Sequence, residues 1–117
     1  MATPTSFTPK QLWAPVQVPA SDTVIYTSPA SPGLGTRLQA LLVVNTSAAP
    51  VSVRVTHGSM AAAQALAWDF SVPGDGLPYD LLADCRHGVV MDAADQLRAQ
   101  AGAATSLTVH GYGVEMA

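Results

Sequence analysis

The sequence predicts an all-β chain, an antiparallel β-sandwich of about eight strands, jelly-roll-like, with an extended N-terminal arm. Three observations lead there. Short runs rich in β-branched and aromatic residues recur between Gly/Pro turn clusters at fairly even spacing. No segment sustains a helical apolar period long enough to compete. The first third is stiffened by proline: residues 1–32 hold Pro4, Pro9, Pro15, Pro19, Pro29 and Pro32 and no glycine.

A chain of 117 residues supports one domain with one modest core. Residues 1–12 read as the arm, and 13–117 as a single sandwich domain. Proline fixes its own φ and pushes the preceding residue toward extended backbone, so this segment is no helix and is stiffer than a Gly/Ser linker. Phe7, Leu12 and Trp13 are its large apolar residues. They are the candidate partner-binding set, expected to anchor the arm on a neighbouring molecule.

The strands follow in order. Thr23 to Thr27 is dense in β-formers and stops at the loop signal Ser28–Gly35. Thr36 to Val44 alternates, with Leu38, Ala40, Leu42 and Val44 on one face, taken as the inward one, and Arg37, Gln39, Leu41 and Val43 on the other. The second face turns apolar midway, as in a central strand covered on both sides. Asn45–Pro50 is a polar turn, and Val51, Val53 and Val55 then point inward against Ser52, Arg54 and Thr56. These two runs are expected to form the firmest hairpin.

Ser59 to Ala67 has helix propensity but is short, and is expected to be a mobile loop with at most one helical turn. Leu66, Trp68 and Phe70 alternate into a strand that ends near Val72, before the Pro73–Gly76 turn. Tyr79–Leu82 and Gly88–Met91 are short strands. Asp92–Ala101 is helix-friendly by propensity, yet Leu97, Ala99 and Ala101 alternate with polar residues, which predicts a turn at Ala93–Asp95 and a strand at Gln96–Gln100. The last strand runs from Ser106 to Glu115, with Leu107 and Val109 inward and a bulge near Gly111 and Gly113.

Composition narrows the function classes. Charged residues are 11% of the chain, under half the usual ~25%, which points to a surface that faces other protein. Lys10, Arg37, Arg54, Arg86 and Arg98 are scattered singly, so no stripe follows a phosphate backbone and nucleic acid is not an expected partner. The apolar run Ala40–Val44 is too short to span a bilayer, so no membrane association is expected either. MATPTSFTPK lacks an apolar h-region, so synthesis in the cytoplasm is expected. Cys85 is the single cysteine and reads as a small buried hydrophobe.

Candidate chemistry is thin. His57, His87 and His110 show no metal-ligand spacing, and His57-Gly58-Ser59 lacks a nucleophile elbow. Asp75, Asp80 and Asp84 lack an alternating calcium loop, and Gly33-Leu34-Gly35 is too short for a phosphate cradle. Trp13, Trp68 and Tyr112 are the candidates for a sugar platform, but core or interface packing is the better reading. No catalytic, cofactor or metal residues are assigned, and a non-enzymatic protein is expected.

The order of signals resembles a known group. Val24-Ile25-Tyr26-Thr27-Ser28-Pro29, then a Gly-containing loop, then Thr36 to Ser47 closing on Asn45-Thr46-Ser47, then Val51-Ser52-Val53, is similar to small β-sandwich virion proteins of tailed bacteriophages. Asp95 to Ala101 and Leu107 to Glu115 resemble their last two strands, so the likeness covers roughly residues 12–116. Two departures are Ala94, where the family usually has Gly before Asp, and the long Gly74–Cys85 stretch. The resemblance implies a virion structural protein. The first expectation is a capsid decoration or cementing protein that binds the major capsid protein or other virion proteins, as a homo-oligomer with a trimer favoured. A tail or baseplate component is the alternative, and a carbohydrate-binding host-recognition module is a further one.

Overall fold

Alternating side chains along extended backbone need a second layer to cover their apolar face, and here the layers are two antiparallel sheets. The computed structural model describes residues 6–83 and 88–117. Among these are the strands β1 (Phe7–Gln11), β2 (Val16–Gln17), β3 (Thr23–Thr27), β4 (Gly35–Asn45) and β5 (Val51–His57). After a 3₁₀ turn at Ala62–Gln64 come β6 (Ala65–Val72), β7 (Pro78–Asp80), β8 (Val89–Met91), β9 (Gln96–Ala101) and β10 (Leu107–Met116). All eight runs expected between Thr23 and Glu115 are strands, and the Ser59–Ala67 patch holds one short helical turn.

The larger sheet has the order β1-β10-β4-β7, with β2 also on β10 and β8 also on β4; the smaller has the order β3-β9-β5-β6. Leu38, Leu41, Val43, Leu107 and Val109 from the first meet Val53, Val55, Leu97 and Ala99 from the second, all fully buried. The apolar β-branched content of β5 and the strict alternation of β9 place one face of each in this core.

Three expectations need correction. The runs Thr36–Val44 and Val51–Thr56 do not form a hairpin: β4 lies in the larger sheet and β5 in the smaller. The Asn45–Pro50 turn is a corner between layers, because the Asn45 side chain is buried there and bonds to backbone on both sides of it.

The inward face of β4 also changes along its length. Tyr112 faces Ala40 while Gly113 faces Leu38, so Gln39 is one extra residue on β4. A single extra residue inverts the alternation that follows it. Thr36 and Leu38 are buried before the bulge, Leu41, Val43 and Asn45 after it, and Leu42 lies on the opposite, half-buried face. A register shift does occur near Gly111 and Gly113, with the extra residue on the partner strand.

The third correction concerns the arm. Residues 7–11 pair antiparallel with 112–116 of the same chain, from Phe7 opposite Met116 to Gln11 opposite Tyr112. A long last strand presents unpaired N–H and C=O groups along its edge, and the proline-stiffened segment supplies them with partners. On β6, Trp68 and Phe70 stand toward solvent. They are 37% and 40% exposed, because β6 carries its own irregularity opposite Arg54.

Candidate functional site

Of the three proposed anchors, two belong to the chain's own core. Leu12 is buried, with its N–H donating to Gly111 O at 2.9 Å. Trp13 is half-buried: Nε1 donates to Val109 O at 3.2 Å, and its ring lies 5.6 Å from the Tyr26 ring, tilted by 36°. Gly111 is required here, since a Cβ at that position would lie inside the Trp13 indole. Leu12 thus lies in the chain's own core, and Trp13 packs half-buried against it. The Phe7 side chain lies outside the described residues, and so do Cys85, Asp84 and His87.

A polar chain links the two sheets beside Trp13. Lys10 Nζ donates to Glu115 Oε1 at 3.0 Å, and Tyr26 Oη donates to Glu115 Oε2 at 2.6 Å. Tyr26 Oη and Ser28 Oγ share Thr36 Oγ1 at 3.0 and 2.9 Å. Burial, then the adjacent Glu115 carboxylate, pushes the Tyr26 phenol up to about 12. Burial opposes the charge of Glu115, but the bonds from Tyr26 and Lys10 outweigh it and hold the carboxyl below its ordinary range. Ser28 and Thr36 are fully buried, so these hydroxyls brace the layers.

The titratable residues singled out from sequence are dispersed. His57 Nε2 lies 2.9 Å from Asp95 Oδ2, while the Ser59 N–H donates to Gln64 Oε1. The His57 bond, together with the Asp92 N–H, holds the Asp95 carboxyl below the usual range. Asp75 accepts from Tyr79 Oη at 2.6 Å and from Leu77 N at 3.0 Å; Asp80 accepts from Leu41 N and Leu82 N. Both act as turn residues. His110 stands on β10, and Gly33-Leu34-Gly35 forms the entry to β4, where a Cβ on Gly35 would collide with Met91 O. Among the described residues no group of three or more His, Cys, Asp or Glu is placed to hold a metal ion. None of the described helices is long and apolar enough to cross a membrane.

The three aromatics do not share a rim. Trp13 packs beneath Tyr26, Tyr112 is 40% exposed on the larger sheet, and Trp68 stands on β6 of the smaller one. The outer face of the smaller sheet carries a group the sequence does not reveal. Arg54 lies over the Trp68 ring, with Cζ 4.1 Å from the centroid, and donates from Nε and Nη2 to Asp69 at 2.6 and 3.2 Å. The Asp69 bond raises the guanidinium's pKa, and the Arg54 bond lowers that of the carboxyl. Beside them lies a hollow of about 260 Å³, lined by Ala20, Ser52, Arg54, Asp69, Gln100 and Gly102, among others. Arg54 and Asp69 are fifteen positions apart. Nothing in one dimension pairs them except the β5–β6 register. A second, more apolar hollow of about 310 Å³ lies between β6 and the end of β7, along Leu66, Trp68, Phe70 and Leu81. No family model, curated protein or solved structure matches this chain.

Proposed function

We propose that this chain is a structural protein of a tailed-phage virion, a capsid decoration protein that binds the major capsid protein through protein–protein contacts. The observation that carries the reading is strand order. With β1, β3, β4, β5, β6, β7, β9 and β10 taken as eight successive strands, the sheets run first-eighth-third-sixth and second-seventh-fourth-fifth. That order, with the short β2 and β8 set aside, supports a jelly-roll reading, an architecture used by viral capsid proteins as well as by lectin domains and cupins. It agrees with the family resemblance. Two residues carrying that resemblance, Asn45 and Ser47, hold the corner between sheets, and the departure at Ala94 sits at φ 66°, where the glycine usual in that group would be relaxed.

Exposed apolar side chains on both sheets, including Trp68, Phe70, Val90 and Tyr112, support protein partners and a homo-oligomer, for which we favour a trimer. The test is quantitative mass spectrometry of virions from the phage that encodes the chain, with light scattering of the purified protein. Copies in the hundreds per particle are expected. A handful of copies would instead support the tail or baseplate alternative, and absence from particles would sink both.

A further inference from the structure

The hollow on the outer face of the smaller sheet is built rather than incidental. Val53 faces Phe70 and Val55 faces Ala67, so Arg54 alone opposes both Trp68 and Asp69. Asp69 takes up the surplus residue at φ 53°, in the left-handed region that Asp enters more readily than most residues. The bulge brings Asp69 onto the guanidinium in a two-pronged bond while Trp68 supports that guanidinium at its face. An exposed ion pair contributes little to stability, yet this one is held in a fixed plane at the mouth of a cavity.

We propose that this hollow binds a neutral sugar of the hexose class, with Arg54 and Asp69 engaging two adjacent hydroxyls and Ser52 and Gln100 completing the contacts. The bidentate bond uses two of the guanidinium's five N–H groups and leaves lone pairs on both Asp69 oxygens. Donor and acceptor thus stand side by side in one plane. Each sugar hydroxyl both donates and accepts, so a vicinal pair complements that arrangement. Gln100 Nε2 donates to Ala20 O at 3.2 Å, which turns its amide oxygen away from that contact as a further acceptor. The Ser52 hydroxyl lies against Gly102, where a Cβ would crowd it, so the glycine keeps the floor open. Asp69 offsets the Arg54 charge within the site, which favours an uncharged polyol over an anion. A hollow of about 260 Å³ suits a single ring rather than a long chain.

The test is titration of the wild-type protein with methyl glycosides of glucose, galactose, mannose and N-acetylglucosamine, and with methyl glucuronide as the anionic comparison, followed by saturation-transfer NMR and calorimetry. Asp69→Asn and Gln100→Ala are measured alongside. Asn tolerates the left-handed backbone at position 69 as Asp does, and Gln100 points away from the core, so both variants should keep the wild-type circular dichroism. At least one glycoside is expected to bind with a millimolar Kd, weakened about tenfold or more by each variant. The proposal is overturned if no glycoside saturates, if the variants bind like wild type, or if only a methyl glucuronide binds. None of these outcomes bears on copy number per virion, so this site and the virion reading stand or fall separately.

Discussion

Asn45 Nδ2 donates to Val72 O at 2.9 Å, and this bond joins the end of β4 in one sheet to the end of β6 in the other. The same amide donates to Ala49 O at 2.8 Å, and its oxygen accepts from Ser47 N and Ser47 Oγ at 2.9 and 2.7 Å. A side-chain amide has two donors and two lone pairs. All are used, in a residue with no exposure at all. Asn45→Ala should therefore lower unfolding free energy by about 2–4 kcal/mol, since the buried Val72 carbonyl loses its side-chain partner and the corner loses three further bonds. Asn45→Asp should do no better, because an ionised carboxylate cannot donate to Val72 and Ala49. Urea denaturation measures both, and a loss below about 0.5 kcal/mol would mean that the corner is held by something else.

The bulge at Gln39 makes an ordered prediction for β4. Leu41→Asp places an unpaired charge in the core and should abolish folding, as should Val53→Asp. Leu42→Asp, on the half-buried face, should still yield a folded protein with reduced stability. Far-UV circular dichroism and urea melts distinguish them. The opposite ranking would place the inward face on Leu42.

Ala94 sits at φ 66°, between the Asp92 and Asp95 ends of the turn into β9, with its N–H donating to Ser28 O at 3.1 Å. For a residue with a Cβ this conformation costs about 1–2 kcal/mol. Glycine removes that cost but makes the unfolded chain freer by roughly 0.5–1 kcal/mol. Ala94→Gly should stabilise the protein by up to about 1 kcal/mol, and Ala94→Val should destabilise it. Thermal melts compare the three, and a lower midpoint for Ala94→Gly would contradict the assigned backbone.

Stability should fall at both ends of the pH range. Asp95 is held below the ordinary carboxyl value of 3.8 by His57 and the Asp92 N–H. A depressed carboxyl stabilises the fold above its unfolded pKa, and that contribution disappears as pH falls through the folded value, below about 4. Tyr26, raised from 10.0 to about 12, behaves in the opposite sense. Its contribution is complete below pH 10 and disappears as the pH rises toward 12. Asp95→Asn should flatten the acid limb and Tyr26→Phe the alkaline one, read from urea midpoints across pH. Unchanged limbs in these variants would assign the titrations to other groups.

How far the sequence could be read depended on the range of the interaction. Val51-Ser52-Val53-Arg54-Val55 and Leu97-Arg98-Ala99-Gln100-Ala101 each show their buried side within a few residues, because alternation is a local property of extended backbone. Leu42 misled because nothing in Gln39 itself announces a bulge: the extra residue exists only relative to Tyr112 and Gly113 across the ladder. The Arg54–Trp68–Asp69 group was hidden for the same reason.

The sequence by itself determined the class of backbone and most of its punctuation: the prolines that bar helix from the first third, the β-branched runs, and the turns at Pro73–Gly76 and Ala93–Asp95. Only the tertiary structure decided which strands are neighbours. Asn45–Pro50 reads equally as a hairpin turn or as a corner, and the choice falls to the corner because Asn45 can be fully satisfied only between Ala49 and Val72. The arm became an edge strand because β10 had unpaired backbone to offer it, and Trp13 settled inside because Gly111 leaves room for an indole. Propensity and periodicity act over a few residues, whereas strand order, register and close approach are set by contacts between residues far apart in the chain.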